Sequence, residues 1–263
     1  MTRAATGGAG RPDAQPAPRP RDTSALVRPA TGGGKGFSAA KPRLILIMLG
    51  APGAGKGTQA EILSARLGLP HVSSGDLFRA AVRDGSALGR EVKRYLDRGA
   101  LVPDELTVRV IKARLMQPDA AEGAILDGFP RTVPQAEALD RMLASQGARV
   151  MGALYVEVDR EELVRRLSGR RVCTDPAQHV YHEEYKPPLV PGICDFDGTP
   201  LEQRADDRPE TIRARLEKQL PPMYEVVDHY AERGWLCPVR GNQSIDQVTE
   251  ALIHAVETAC QVP

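Results

Sequence analysis

Short apolar runs alternate with longer stretches of helical spacing from residue 43 to the end of this 263-residue chain. The first run, RLILIML, is a continuous aliphatic segment, typical of a strand buried on both faces of a parallel sheet. Four further apolar runs predict strands over 70–73, 124–127, 151–158 and 236–239. The intervening spacing predicts helices from Lys56 to Gly68 and over 86–98, 104–116, 133–145, 159–168 and 208–233. This alternation predicts an α/β fold, a parallel sheet with helices on both faces.

The first 41 residues have a different composition, rich in Pro, Gly, Ala and Arg and without Glu. Such a segment cannot bury enough apolar surface to offset its chain entropy, so we predict that 1–41 is a disordered extension. Its TGGGKG sequence at 31–36 imitates a phosphate-binding loop. No strand pattern precedes it and no helical pattern follows it, so we interpret it as linker.

The composition of the chain limits the possible partners. The formal net charge is +1 and only 4% of residues are aromatic, which gives no indication of nucleic-acid or membrane binding. No apolar run reaches 18 residues, and the N-terminus lacks the apolar region of a secretory signal, so a cytoplasmic protein is predicted. Of the four cysteines, Cys237 is expected to be a buried apolar residue and Cys260 receives no role. Metal binding is the expected use for cysteines that pair.

The stretch GAPGAGKGT at 50–58 lies between the first strand and the first helix. It fits G-x-x-x-x-G-K through Gly50, Gly55 and Lys56, and its hydroxyl residue, Thr58, comes one position later than in the usual motif. The glycines let successive backbone N–H groups point inward, and the helix N-terminus favours an anion. The sequence therefore predicts a phosphate-binding loop, in preference to a glycine-rich turn with a surface lysine.

Two further motifs follow predicted strands, SSGDLFR at 73–79 and LDGFPRT at 126–132. Together with the phosphate-binding loop they resemble the adenylate kinase family of nucleoside monophosphate kinases. LVPDELT, GRRVC and RADDRPETIRARL extend that resemblance from residue 43 to the C-terminus. It implies a phosphate-binding-loop (P-loop) nucleoside kinase fold with a parallel five-stranded sheet. The implied domain is 42–263, with its core at 42–72, 103–168 and 206–263, an AMP-binding arm at 73–102 and a lid at 169–205.

The same resemblance implies the reaction, a reversible Mg-dependent transfer of a phosphoryl group from ATP to AMP that gives two ADP, carried out by a monomer. Lys56 would hold the donor phosphates, and Asp127 would hold waters of Mg²⁺. Arg166 would stack on the donor adenine. The implied ATP site comprises Gly53, Ala54, Gly55, Lys56, Gly57, Thr58, Arg166, Arg170, Val180, Tyr181 and Gln243.

For the acceptor, the resemblance implies that Arg79 and Arg131 clamp the AMP phosphate with planar guanidinium groups. Gln135 would pair with the adenine edge. Arg170, Arg204 and Arg215 would neutralise charge on the transferring group, although the stretch around Arg215 also fits an exposed helix face. The implied AMP site comprises Ser74, Arg79, Leu101, Val102, Gly128, Arg131, Gln135, Arg204 and Arg215.

Two alternative functions differ in class. A UMP/CMP kinase, or a broader monophosphate kinase, is disfavoured by Gln135, by the long lid and by Ser74, which keeps the hydroxyl of the threonine usual in adenylate kinases. A P-loop switch of the GTPase kind would carry a guanine-binding N-K-x-D sequence, which the chain lacks.

The lid resembles those bacterial-type lids that hold zinc on C-x2-C…C-x2-C/D. Cys173, Cys194 and Asp197 match this frame, but Pro176 replaces the second cysteine. We predict a structural zinc site of Cys173, His179, Cys194 and Asp197. Asp175 or His182 as the remaining ligand, and a lid without metal, stay open as alternatives.

Overall fold

The structure, a computed structural model, describes residues 43–175 and 178–261. Five strands form the central sheet in the order β2-β3-β1-β4-β8, and every neighbouring pair is parallel. They are β1 (Leu44–Leu49), β2 (His71–Ser73), β3 (Gly123–Asp127), β4 (Val150–Glu157) and β8 (Leu236–Arg240). The predicted α/β fold with a parallel five-stranded sheet is confirmed. The prediction for 1–41 falls outside the described residues.

Strand β1 is the centre of this sheet and shows why its sequence is apolar throughout. Ile45 and Ile47 face one hydrophobic cluster, while Leu46 and Met48 face the other. None of these four side chains is more than 1% exposed. Helices cover both faces of the sheet, so both alternating sets of side chains on β1 must be apolar.

Eight helices are found in the described part of the chain. They are α1 (Lys56–Leu67), α2 (Ser74–Arg83), α3 (Ala87–Leu96), α4 (Asp104–Leu115), α5 (Val133–Ala144), α6 (Arg160–Ser168), α7 (Pro209–Ala231) and α8 (Ile245–Gln261). Six of them lie within two residues of the predicted helices. Helices α2 and α8 had no explicit prediction. Helix α2 begins where the Ser73 hydroxyl accepts a hydrogen bond from the backbone N–H of Asp76 at 3.2 Å, a regular N-cap.

Helices α2 and α3 pack against each other and, with the start of α4, around a small hydrophobic cluster. Phe78, Val92, Val102 and Leu106 form this cluster, which is separate from the two clusters on the faces of the sheet. The helices approach so closely that a Cβ on Gly89 would lie 1.9 Å from the carbonyl oxygen of Ala81. Both helices lie within 73–102, the segment that the resemblance assigns to the acceptor arm.

The segment after α6 forms a second sheet of three antiparallel strands, β5 (Arg170–Cys173), β6 (Val180–His182) and β7 (Leu201–Glu202), in the order β6-β5-β7. Its small core consists of Cys173, Tyr181 and Cys194, packed against Leu201. We call 169–205 the lid. None of the described helices is long and apolar enough to cross a membrane.

Candidate active site

The carboxyl ends of the central strands open into a cleft of about 890 Å³. Parallel strands deliver their following loops to one edge of the sheet, which is where ligands bind in such folds. The lid borders the same cleft. All of the residues predicted for the ATP site line it: Gly53, Ala54, Gly55, Lys56, Gly57, Thr58, Arg166, Arg170, Val180, Tyr181 and Gln243.

The loop between β1 and α1 needs its glycines for conformation and for space. Gly50 and Gly53 have φ angles of 142° and 86°, and a Cβ on Gly50 would lie 2.6 Å from the carbonyl oxygen of Val156. Lys56 curls back over the loop, where its ammonium donates a hydrogen bond to the carbonyl oxygen of Ala51 at 2.8 Å. The loop therefore has the backbone shape and the cation of a phosphate-binding site.

Lys56 and Asp127 are two oppositely charged residues that line the cleft. Burial lowers the pKa of Lys56 to about 8, with Asp127 opposing the shift and Arg131 reinforcing it. Burial acts to raise the pKa of Asp127, but the hydrogen bond with His71 and the charge of Lys56 outweigh it and lower this pKa to about 2. The His71 ring lies 3.4 Å from the Asp127 carboxylate. Asp127 is therefore ionised and available to a cation's water shell.

Arginines from α7 and the lid meet around two carboxylates, of which Asp207 is fully buried and Asp206 is 18% exposed. Arg215 is 8% exposed, and its Nη1 donates to Asp206 at 2.9 Å and to Asp207 at 3.1 Å. The alternative of an exposed helix face at Arg215 is therefore wrong. Arg170 forms two hydrogen bonds with Asp207, at 2.6 and 2.5 Å. These carboxylates fix the arginine side chains in place around the cleft.

Arg131 and Arg204 carry positive charge that the protein only partly compensates. Burial and the charge of Arg215 lower the pKa of Arg131 to about 10. Burial and the charges of Arg79 and Arg170 lower the pKa of Arg204 to about 9. The Nε of Arg204 is buried and has no hydrogen-bond partner within the described ranges. A polyanion in the cleft would satisfy these groups, because it supplies both negative charge and acceptor oxygens.

A second, much smaller cavity of about 40 Å³ adjoins the cleft at the acceptor arm. Eight of the nine residues predicted for the AMP site line it, the exception being Arg204, which lines the main cleft: Ser74, Arg79, Leu101, Val102, Gly128, Arg131, Gln135 and Arg215. The Ser74 hydroxyl donates to the carbonyl oxygen of Gly128 at 2.6 Å. The Ser74 side chain therefore ties the start of α2 to the loop after β3.

Both the nitrogen and the oxygen of the Gln135 side-chain amide form a hydrogen bond within the protein. Its nitrogen donates to Asp104 at 2.7 Å, and its oxygen accepts from the backbone N–H of Arg131 at 2.8 Å. An amide group has two donor hydrogens and two acceptor lone pairs, so each end keeps capacity for one more hydrogen bond. The contacts orient Gln135 and leave it able to pair with a base edge.

Arg166 joins three parts of the donor side. Its guanidinium donates to Glu162 at 2.8 Å and to the carbonyl oxygen of Gly241 at 2.9 Å, and its Nη1 contacts the phosphate loop at the carbonyl oxygen of Ala54, at 3.4 Å. The guanidinium also lies over the Tyr185 ring of the lid, 5.7 Å from its centroid. It therefore stands where the phosphate loop, α6 and the turn before α8 meet.

The four predicted zinc ligands come together in the lid. Their ligand atoms all lie within 4.8 Å of one another. The Nδ1 of His179 is 3.5 Å from the sulfur of Cys173, 3.5 Å from that of Cys194 and 3.0 Å from Asp197. Ligand atoms around a tetrahedral Zn²⁺ are roughly 3.3–3.8 Å apart, given bonds of about 2.0–2.3 Å. The two 3.5 Å separations fall in this range, and the others lie within about 1 Å of it.

The surroundings of the cluster also suit a metal. Thr199 donates to one oxygen of Asp197 through its N–H at 2.9 Å and its hydroxyl at 2.6 Å, which lowers the pKa of this carboxyl and leaves the other oxygen for the cluster. Neither Asp175 nor His182 belongs to this group of ligand atoms in the part of the chain described. The His182 Nδ1 instead accepts hydrogen bonds from the backbone N–H groups of Glu184 and Tyr185 at 3.0 and 3.1 Å.

Sequence reasoning missed several residues that organise the cleft. Asp206 and Asp207 hold the arginines, and Gln219 accepts a hydrogen bond from Arg131 at 2.9 Å. Gln178 contacts Arg79 from the lid. The sequence RADD did contain a signal for the two carboxylates, because adjacent acidic residues beside a functional arginine are natural partners for it.

The site combines a phosphate-binding loop between a strand and a helix with a second cavity beside α2 and α3, and several arginines lie between the two. This combination defines a nucleoside monophosphate kinase of the P-loop class. A model of the adenylate kinase family matches residues 48–235. An adenylate kinase of Streptomyces avermitilis is 45% identical over 212 residues, covering 81% of this chain and 96% of the relative. Adenylate kinases of Bacillus subtilis and Acidothermus cellulolyticus are 47% and 48% identical, covering 77% and 80% of this chain and 93% and 97% of theirs. The chain belongs to the adenylate kinase family.

Proposed function

We propose the following division of roles for the reaction of this enzyme, the reversible transfer of a phosphoryl group from ATP to AMP that yields two ADP. The single observation that carries it is the surplus of buried positive charge between the phosphate loop and the arm. Lys56, Arg131 and Arg204 all have lowered pKa values there. Phosphoryl transfer requires mainly positioning and charge stabilisation, and this arrangement supplies both.

On the donor side, the backbone of 53–58 and the Lys56 ammonium would hold the ATP phosphates. Arg166 would cover the adenine, since it lies beside the loop and the turn at Gly241 and Gln243. Mg²⁺ would arrive with ATP and shield its phosphate charge. The ionised Asp127 would bind waters of that ion, with the Thr58 hydroxyl nearby in the cleft.

On the acceptor side, Arg79 and Arg131 would bind the AMP phosphate, and Gln135 would bind the adenine. The acceptor phosphate is already ionised, so no general base is required. Arg170, Arg204 and Arg215 would neutralise charge between the two phosphates. We assign 73–102 to the acceptor arm and 169–205 to a lid that excludes water, because water would compete with AMP for the phosphoryl group.

The lid would contain structural zinc on Cys173, His179, Cys194 and Asp197. With four protein ligands the metal has no open position, so it would stabilise the lid without entering the reaction. We also infer a cytoplasmic protein, because composition and cysteine content give no sign of secretion. A monomer is inferred from the resemblance to adenylate kinases alone.

The test is production of ADP from ATP and AMP by the purified enzyme with Mg²⁺. We expect two ADP per ATP consumed and no turnover when AMP is left out. Lys56→Met is expected to lower kcat by roughly 10²–10³-fold, the usual effect of losing one charge-stabilising group. Glu183→Gln, on the exposed side of the lid, is the control and should leave kcat unchanged. An unaltered kcat in Lys56→Met would contradict the assignment.

A further inference from the structure

Gln178 lies in the turn between β5 and β6, on the cleft side of the lid. Its φ angle is 49°, and no other non-glycine residue in the described ranges has a positive φ. Its backbone N–H donates to the carbonyl oxygen of Asp175 at 2.9 Å. The left-handed conformation is unfavourable for a residue with a Cβ, and glycine would avoid this cost. A residue other than glycine in this strained backbone conformation suggests that its side chain has a role.

The side chain of Gln178 reaches across the cleft to the acceptor arm. The Nε of Arg79, on α2, donates to the Gln178 side-chain oxygen at 3.0 Å. An arginine can only donate, so the amide oxygen must face it. This hydrogen bond joins two segments that are 99 residues apart in the chain.

The remaining contacts of Arg79 explain what this hydrogen bond does. Its Nη2 pairs with Asp76 one turn earlier on α2, and a Cβ on Gly75 would lie 3.0 Å from both terminal nitrogens. The guanidinium is therefore laid over Gly75 and held on one side by its own helix. Gln178 supplies the opposite support at Nε. A planar group held at two points has one orientation, which bidentate phosphate binding requires.

We propose that Gln178 is a positioning residue of the acceptor site, which fixes the Arg79 guanidinium from the lid so that it faces the acceptor phosphate. The inference rests on the role proposed above for Arg79. If Gln178 has this role, the acceptor site is complete only when the lid supplies Gln178 to it. The neighbouring residue, His179, belongs to the candidate zinc cluster, so a metal there would also fix the place from which Gln178 reaches Arg79.

The variants Gln178→Gly and Gln178→Asn test this. Glycine removes the side chain and relieves the backbone, while asparagine tolerates the left-handed conformation but is one methylene too short to keep the contact. We expect both to raise KM for AMP roughly fivefold to twentyfold, less than for direct loss of a hydrogen bond to a charged group, because Gln178 acts through Arg79. KM for ATP should change less than about twofold. The Tm of Gln178→Gly should not fall, because the strain is removed.

The double variant with Arg79→Lys separates positioning from lid damage. Lysine has no Nε–H to be held, so Gln178→Gly should add little to the KM for AMP in that background. Glu202→Gln, an exposed change on β7 of the same lid, is the control and should leave both KM values unaltered. Additive effects, or equal rises in both KM values with a lower Tm, would overturn the proposal for Gln178. An unchanged KM for AMP in Arg79→Lys alone would instead overturn the role of Arg79 and this inference with it.

Discussion

Arg170 and Asp207 form a two-point ion pair in which Nε and Nη2 of the arginine donate to the two carboxylate oxygens at 2.6 and 2.5 Å. Burial acts to lower the pKa of Arg170, but the Asp207 charge and its hydrogen bonds outweigh it and raise this pKa. Arg215 donates to the same carboxylate at 3.1 Å. One fully buried carboxylate therefore orients two of the arginines proposed to face the transferring phosphoryl group.

The first prediction follows from this arrangement. Asp207→Asn leaves the shape of the side chain but removes its charge, so Arg170 and Arg215 lose their common anchor. We expect kcat to fall by roughly tenfold to a hundredfold, because charge stabilisation depends on correctly placed donors. The matched control is Glu183→Gln, which breaks the pair of Glu183 with Arg171 at the exposed rim of the lid. A variant Asp207→Asn with normal kcat would show that Arg170 is placed by other means.

The second prediction concerns pH and Lys56. Only the charged ammonium attracts phosphate, and its pKa in the free enzyme is about 8. We expect kcat/KM for ATP to decline as pH rises through about 8, and Lys56→Arg to move that decline to higher pH. The loss should be smaller in kcat at saturating ATP, because bound phosphate favours the protonated amine. A flat kcat/KM profile between pH 7 and 9 would count against a lowered pKa at Lys56.

The same shift has a consequence for stability without ligand. The pKa of Lys56 in the folded protein, about 8, is below its ordinary value of 10.5, so the folded state binds fewer protons than the unfolded state between these values. The contribution of Lys56 to stability therefore increases with pH across this window. We expect the Tm of nucleotide-free Lys56→Met to equal or exceed that of the wild type at pH 7, measured by calorimetry. A clearly lower Tm would mean that the contact with Ala51 outweighs the burial of charge.

A third prediction concerns the acceptor arm. A Cβ on Gly89 would lie 1.9 Å from the Ala81 carbonyl oxygen, so Gly89→Ala must push α2 and α3 apart. We expect a loss of about 1–3 kcal/mol in the free energy of unfolding and a raised KM for AMP. Gly147→Ala is the control, since Gly147 has a φ of 66° and nothing within 4 Å of its Cβ position. It should cost about 1 kcal/mol and leave KM unchanged. If Gly147→Ala raised KM for AMP as much as Gly89→Ala does, close packing of α2 and α3 would not be the reason for glycine at position 89.

A fourth prediction is that the lid binds one zinc ion. Elemental analysis of protein purified without a histidine tag should give about one zinc per chain. His179→Ala should reduce this content, and a chelator should lower the Tm of the wild type more than that of the variant. A variant that keeps its zinc would move the fourth ligand to Asp175 or His182. Wild-type protein without zinc would mean that hydrogen bonds and packing hold the lid.

The sheet and its phosphate loop were predictable because they depend on local patterns. A continuous apolar run indicates β1, and the glycines mark the turn before Lys56. Helix bounds differed by one or two residues, since end residues have little packing to fix them. Helix α2 had no explicit prediction although Ser73 supplied its cap.

The contacts across the cleft were not predictable in the same way. The anchoring of Arg170 by Asp207 depends on where two distant segments meet, which no local pattern encodes. The contact of Gln178 with Arg79 depends in addition on an unusual backbone angle. His179, by contrast, was predictable as one of three candidate ligands, beside Asp175 and His182, because the resemblance to zinc-binding lids left one ligand of the frame unmatched.

The choice of acceptor nucleotide is the most direct test of AMP as the substrate of this enzyme. The measurement is kcat/KM for AMP, UMP and CMP, with ATP and Mg²⁺ held at saturating concentrations, in the wild type and in Gln135→Leu. We predict that AMP exceeds both pyrimidine nucleotides by at least about a hundredfold and that Gln135→Leu removes most of this preference, because a site built to hydrogen-bond one base edge rejects others. Comparable values for UMP or CMP in the wild type would contradict the assignment of AMP as the acceptor.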